Sequence, residues 1–135
     1  MKTQPVLFES LSPNVIVDDV NKAVEYYSQF FGFTLLASVP ESDPFNWAMV
    51  QNGNVILMFQ SLPSIQEDLP SLKINSKGSH GTFYIKVKGV EQLYNSVKGK
   101  VEIAGDMRVT FYNAKEFTIK DLNGHFLTFA EDVVN

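Results

Sequence analysis

Apolar residues at Val20, Ala23, Val24, Tyr27 and Phe31 recur at i, i+3, i+4, i+7 and i+11, which predicts a helix with one buried stripe. Asp19 suits its N-cap and Gly32 supplies a left-handed residue to end it. Upstream, Val15 and Val17 alternate with Asn14, Ile16 and Asp18, the signature of a strand with one face on that helix. Strands are expected at 33–39 and 45–51, split by Pro40-Glu41-Ser42-Asp43-Pro44. Asn52-Gly53 then reads as a two-residue hairpin turn, with 55–59 pairing back. The unit is one strand, a helix, and three more strands.

The pattern then repeats. After a seam at 61–80 containing Pro63, Pro70 and Gly78, the residues Phe83, Ile85 and Val87 mark a strand face. Val90, Leu93, Tyr94 and Val97 mark a helix. Strands are expected at 100–103, 107–111 and 115–120, and Asp121-Leu122-Asn123-Gly124 turns into a last strand at 125–130. Val20 to Val90 is 70 residues and Gly53 to Gly124 is 71, so two landmarks give nearly one period. That period is too long for a solenoid repeat and implies two similar halves around a shared cleft. Within the seam, Ser64-Ile65-Gln66-Glu67 is a capping-box pattern, so a short helical turn stopped by Pro70 is expected.

Composition narrows the function classes. At 135 residues the chain is expected to be one domain, with module one at 6–61, a linker at 62–80 and module two at 81–131. The absence of cysteine removes disulfides, thiolate nucleophiles and thiolate metal sites, and a cytoplasmic protein is expected. No apolar run is long enough for a membrane span, and the first residues lack a secretory core. A net charge of −4 disfavours nucleic acid and favours neutral or cationic ligands.

Pro13-Asn14-Val15-Ile16-Val17-Asp18-Asp19-Val20, with Tyr26-Tyr27 and Phe31-Gly32-Phe33, resembles the opening signature of the vicinal oxygen chelate superfamily. Tyr112-Asn113-Ala114-Lys115-Glu116-Phe117 followed by Asp121-Leu122-Asn123-Gly124 resembles its closing signature. That superfamily includes glyoxalase I, extradiol dioxygenases, fosfomycin resistance enzymes and bleomycin-binding proteins. The resemblance implies an α+β fold: two tandem βαβββ modules forming a half-open, cup-shaped mixed sheet, helices outside. It fixes no single activity, because unrelated activities share the scaffold.

The resemblance also says where to look. Val15, Val17, Leu57, Phe59, Phe83, Ile85, Val87, Leu127 and Phe129 should face the helices. The alternate residues Asn14, Ile16, Ile56, Met58, Thr82, Tyr84, Phe126 and Thr128 should face the cup, joined by Trp47 and Met49. Metal-using relatives carry His or Glu at four cup positions, on the first and last strands of each module. Counting from Asp19 and Gly89, and from the two turns, those positions fall on Ser12, Met58, Thr82 and Thr128, with Leu57 as the other register for Met58. A thioether and hydroxyls do not offset the desolvation of a divalent ion, so no metal and no other cofactor is expected. The metal-dependent reactions of the superfamily would go with it.

Several residues invite catalytic readings. Ser79-His80 lacks a Gly-x-Ser-x-Gly elbow and reads as a loop histidine entering a strand. His125 follows a turn on the helix side and reads as a partly exposed structural residue. Asp18, Asp19 and Asp121 sit where caps and turns use carboxylates. Glu116 could be a lone carboxylate in an apolar cleft, acting as base or counter-ion, and Tyr84 is the other catalytic candidate. Trp47, Tyr84 and Phe126 could stack on a planar ligand, while Lys86 and Lys88 read as solvated.

The leading expectation is a metal-free protein binding an aromatic or cationic, antibiotic-like organic molecule between the modules. The alternatives are a glyoxalase-like lyase or isomerase working by acid–base chemistry, or a non-catalytic dimerisation domain. A homodimer is expected, with 5–10 as a strand that copies could exchange.

Overall fold

The computed structural model describes residues 6–71 and 81–134. Module one consists of β1 (Asn14–Val17), α1 (Val20–Phe31), β2 (Thr34–Val39), β3 (Trp47–Asn52) and β4 (Val55–Ser61). α2 (Leu62–Asp68) follows, then β5 (Thr82–Lys86), α3 (Val90–Val97), β6 (Glu102–Val109), β7 (Ala114–Lys120) and β8 (Phe126–Asp132). The strands form two four-stranded sheets with the same order, β1-β4-β3-β2 and β5-β8-β7-β6. In each, the first strand lies parallel to the last, Val15 opposite Phe59 and Ile85 opposite Phe129. The two similar halves are those the repeat implied, and the α+β architecture is the one the resemblance implied.

Local chemistry explains the boundaries. Asp19 caps α1 by accepting from the Lys22 amide at 3.1 Å, and Gly32 ends it at φ 68°. The first hairpin turns at Gly53-Asn54 rather than Asn52-Gly53, because Asn52 pairs with Val55. Only Gly53 of that pair has positive φ, as a primed turn with glycine first requires. α2 starts earlier than the Ser64 pattern suggested. Ser61 is the cap, accepting from the Ser64 amide at 3.4 Å, because Pro63 fits the first helical turn. The two strands expected at 100–103 and 107–111 are one strand, β6, whose pairing to β7 shifts register around Gly105. Bulges absorbed the extra residues without ending the pairing.

The core lies on the helix-facing sides, and the halves share it. Tyr27 packs on Phe33 and Phe59 with centroids 5.7 and 5.0 Å apart. Phe31 stacks on Phe129 of the other module at 5.1 Å and 15°, and Phe129 continues to Phe117 at 5.5 Å. Val15, Val17, Leu57, Phe59, Ile85, Leu127 and Phe129 are all buried, as alternation predicted, and Phe83 is half-buried. No helix among the described residues is long and apolar enough to cross a membrane.

A buried polar seam joins the modules. The Tyr27 hydroxyl donates to Asp121 Oδ2 at 2.6 Å, while Asp121 Oδ1 accepts from the Asn123 and His125 amides. Asp121 thus holds its own turn and also ties it to α1. Asn123 Oδ1 accepts from the Asp18 amide at 3.2 Å. His125 is only 2% exposed, correcting the partly exposed reading: β1 covers it, and Nε2 lies 2.9 Å from the Ile16 carbonyl. A carbonyl can only accept, so Nε2 carries the proton, and Nδ1 is buried without a partner among the described residues.

Candidate functional site

Register defines the faces opposite the helices. In module one, Asn14, Met58 and Met49 form one cross-strand row, and Ile16, Gln60 and Trp47 form the next. Met49 and Met58 are half-buried between the buried Ala48, Val50, Leu57 and Phe59, which point the other way. Gln60, absent from the sequence-based candidates, is buried here. It accepts from Asn14 Nδ2 at 2.8 Å and donates to Ser64 Oγ and Asp68 Oδ2 of α2. Ser12 precedes β1 instead of lying on it, so that ligand position is not on a strand.

In module two, Tyr84, Thr128 and Thr118 form one row, and Thr82, Phe126 and Lys120 another. The hydroxyls of Thr118 and Thr128 are 2.7 Å apart and bond each other. Glu116 is the polar centre of this face. It is 5% exposed, yet it is not the lone carboxylate expected. Tyr84 Oη donates to Oε2 at 3.1 Å, Tyr112 Oη reaches both oxygens at 3.0 and 2.9 Å, and Arg108 Nη2 lies 3.3 Å from Oε1. A carboxylate has about four acceptor sites, so these donors nearly saturate it.

The consequence falls on the phenols. Loss of surrounding water, the hydrogen bond to Glu116 and that carboxylate's charge push the Tyr84 hydroxyl up to about 12. Tyr84 therefore stays a phenol at neutral pH, its oxygen made more electron-rich by donating to an anion. Tyr84 and Tyr112 are each 49% exposed, so their rings and oxygen lone pairs face solvent around a shielded anion. Tyr112 and Arg108 were missed from the sequence. A Tyr four residues before Glu116 on a strand and turn was the only local cue.

The candidates thus gather into two sets, one per sheet. Among the described residues, no hydrogen bond links Asn14, Trp47, Met49 or Met58 to Thr82, Tyr84, Phe126 or Thr128. His80 lies outside the described residues. Lys86 forms an exposed ion pair with Asp132 at 3.1 Å, and Lys88 has no partner among the described residues.

The donor chemistry does not fit the divalent ion used by metal-dependent relatives. Ser12, Met58, Thr82 and Thr128 offer no imidazole or carboxylate, and the Thr128 hydroxyl is already engaged. Among the described residues no three His, Cys, Asp or Glu side chains cluster.

The profile of the Glyoxalase/Bleomycin resistance protein/Dioxygenase superfamily matches residues 10–129. The chain belongs to this superfamily. Its fold is similar to the crystal structure of TioX from Micromonospora sp. ML1, at 19% identity and TM-score 0.74, covering 93% of this chain and 100% of TioX. A glyoxalase/bleomycin resistance protein/dioxygenase from Nocardioides superposes at 18% identity and TM-score 0.74, covering 96% and 87%. A bleomycin resistance determinant encoded on transposon Tn5 superposes at 15% identity and TM-score 0.66, covering 94% and 100%. At these identities the likeness is one of fold. No curated protein matches the chain.

Proposed function

We propose that this superfamily member is a metal-independent binding protein for a small, planar, cationic organic molecule held on the cup faces of the two sheets. The Glu116 cluster is the observation that carries this reading. Two half-exposed phenols anchored on a buried carboxylate present electron-rich rings and acceptor oxygens, which suit stacking and N–H donors of a cation. Trp47, Met49, Met58 and Asn14 would supply the opposite, largely apolar surface, with Thr82, Phe126 and Thr128 beside Tyr84. The misfit of Ser12, Met58, Thr82 and Thr128 to a divalent ion supports metal independence.

Acid–base catalysis through Glu116 or Tyr84 is the weaker reading. Glu116 already accepts from three donor groups, and the Tyr84 hydroxyl, pushed up to about 12, stays protonated at neutral pH. A homodimeric, cytoplasmic protein belongs to the same proposal. Val6, Leu7, Phe8 and Leu11 are 74–99% exposed on an arm without secondary structure, a surface a second copy could cover.

The test is a thermal-shift screen with bleomycin, ethidium and benzamidine beside Ni²⁺, Zn²⁺, Mn²⁺ and Fe²⁺, since native-state binding raises the melting point. A saturable shift with a planar cation, lost in Tyr84→Ala, supports the proposal. A shift with a metal ion alone sinks it. Trp47 is the chain's one tryptophan, so quenching on binding that survives Trp47→Phe would remove Trp47 from the site. Light scattering reads the oligomer, and a monomer of 15.2 kDa ends the dimer proposal.

A further inference from the structure

The modules meet at two seams related by the duplication, and the seams differ. Val55 and His125 each stand four residues before the phenylalanine paired to the first strand, Phe59 and Phe129, so they are counterparts. At one seam the turn Asp121–His125 closes on β1: His125 reaches the Ile16 carbonyl and Asn123 takes the Asp18 amide. At the other seam the turn is one residue shorter. Val50 to Leu57 spans seven residues, whereas Ile119 to Leu127 spans eight between equivalent paired positions. Among the described residues no side-chain hydrogen bond joins that shorter turn to β5, and Asn52 donates instead to the Phe31 carbonyl at 2.7 Å.

The open seam leaves a cavity of about 430 Å³ between the Asn52–Val55 turn and the end of β5. This size lies within the range of small-molecule sites, about 300–1,000 Å³. Its floor is Phe31, Phe33, Ile85, Leu93 and Phe129, on the helix-facing side of the sheets and away from Tyr84 and Glu116. The charged residues among its described walls are Lys86 and Lys88, with no acid beside them. Asp132 pairs with Lys86, Glu131 turns its carboxylate to the Gly89 and Val90 amides, and the Lys88 ammonium at the rim has no ion-pair partner among the described residues.

We propose that this open seam is a second binding site, for a small amphiphilic carboxylate such as a medium-chain or aryl acid. Its apolar body lies over Phe31, Phe33 and Phe129, and its carboxylate meets Lys88. Charge complementarity decides the class: the rim is cationic although the whole chain carries −4. The site is independent of the cup reading and takes a ligand of opposite charge.

Octanoate, and anilinonaphthalene sulfonate displaced by it, are the probes. Amide NMR titration should move Asn54, Val55, Val87 and Lys88 while leaving Tyr84 and Thr128 in place, with one-to-one saturation. Lys88→Glu should weaken octanoate about tenfold, and Val55→Trp, which fills the cavity, should abolish binding. Tyr84→Ala should not change it, which separates this site from the cup. Should Val55→Trp fail to fold, the exposed Lys88→Glu variant decides alone. Shifts confined to the cup, absence of saturation, or affinity undiminished in Lys88→Glu would each overturn the proposal. So would octanoate affinity that falls as protein concentration rises, which would assign the seam to a second copy of the chain.

Discussion

Replacing Tyr27 by phenylalanine deletes one hydroxyl from the seam between the modules and leaves the ring against Phe33 and Phe59. The lost bond is a 2.6 Å contact from a neutral donor to the Asp121 carboxylate. Hydrogen bonds to charged groups contribute about 1.5–3 kcal/mol. Asp121 keeps the Asn123 and His125 amides, so the carboxylate is not orphaned and the cost should be roughly 2 kcal/mol. With an unfolding entropy of about 2.1 cal/mol/K per residue, 135 residues convert that to a fall in Tm of about 7 °C. The effect should also depend on pH. Burial, then the charge and hydrogen bond of Asp121, raise the Tyr27 pKa well above its ordinary 10.0. A group whose folded pKa is raised stabilises fully below its unfolded pKa and loses that contribution as pH rises toward the folded value. The gap between wild type and Tyr27→Phe should therefore be constant from neutral pH to about 10 and shrink above it. Urea melts across that range measure it, with midpoint changing and slope unchanged. A gap under about 0.5 kcal/mol at pH 7 would place Tyr27→Phe among ordinary neutral surface changes and refute the seam argument.

Other consequences are equally direct. Glu116→Gln removes the anion that the phenols share, so spectrophotometric titration should find Tyr84 ionising below its present value of about 12. An unchanged titration would mean Glu116 does not organise Tyr84. Phe129→Ala removes the stack on Phe31 and the contact with Phe117, and should cost about 3–5 kcal/mol in chemical denaturation. Gly32→Ala forces a left-handed residue and sets a Cβ 3.3 Å from Asn52 Nδ2, so a loss of about 1 kcal/mol or more is expected. A gain in stability there would contradict the left-handed cap.

Legibility from sequence followed the range of the interactions. The α1 stripe, its Asp19 and Gly32 ends, and the helix-facing alternation of Val15, Val17, Leu57 and Phe59 depend on neighbours a few residues away, and they were readable. The two strands expected at 100–103 and 107–111 leave out 104–106, whereas pairing with β7 carries the chain through Gly105 within one strand. The capping-box spacing at Ser64 points to a later start than the structure has, because Pro63 fits a first helical turn and Ser61 caps it. His125 was put on the correct face but given too much exposure, since its cover comes from β1, 109 residues away. Glu116 was a candidate cleft carboxylate from the sequence, but its donors arrive from β5, β6 and the loop before β7, and no spacing rule joins them.

Duplicated proteins can in principle break into autonomous halves, yet Asp121 forbids it here. The carboxylate belongs to the second half and its phenolic donor to the first, and the Phe31–Phe129 stack straddles the same divide. A half-length polypeptide would expose one ring of that stack and strand either an acid or a hydroxyl. The two copies are therefore no longer interchangeable parts: each has become the missing interior of the other.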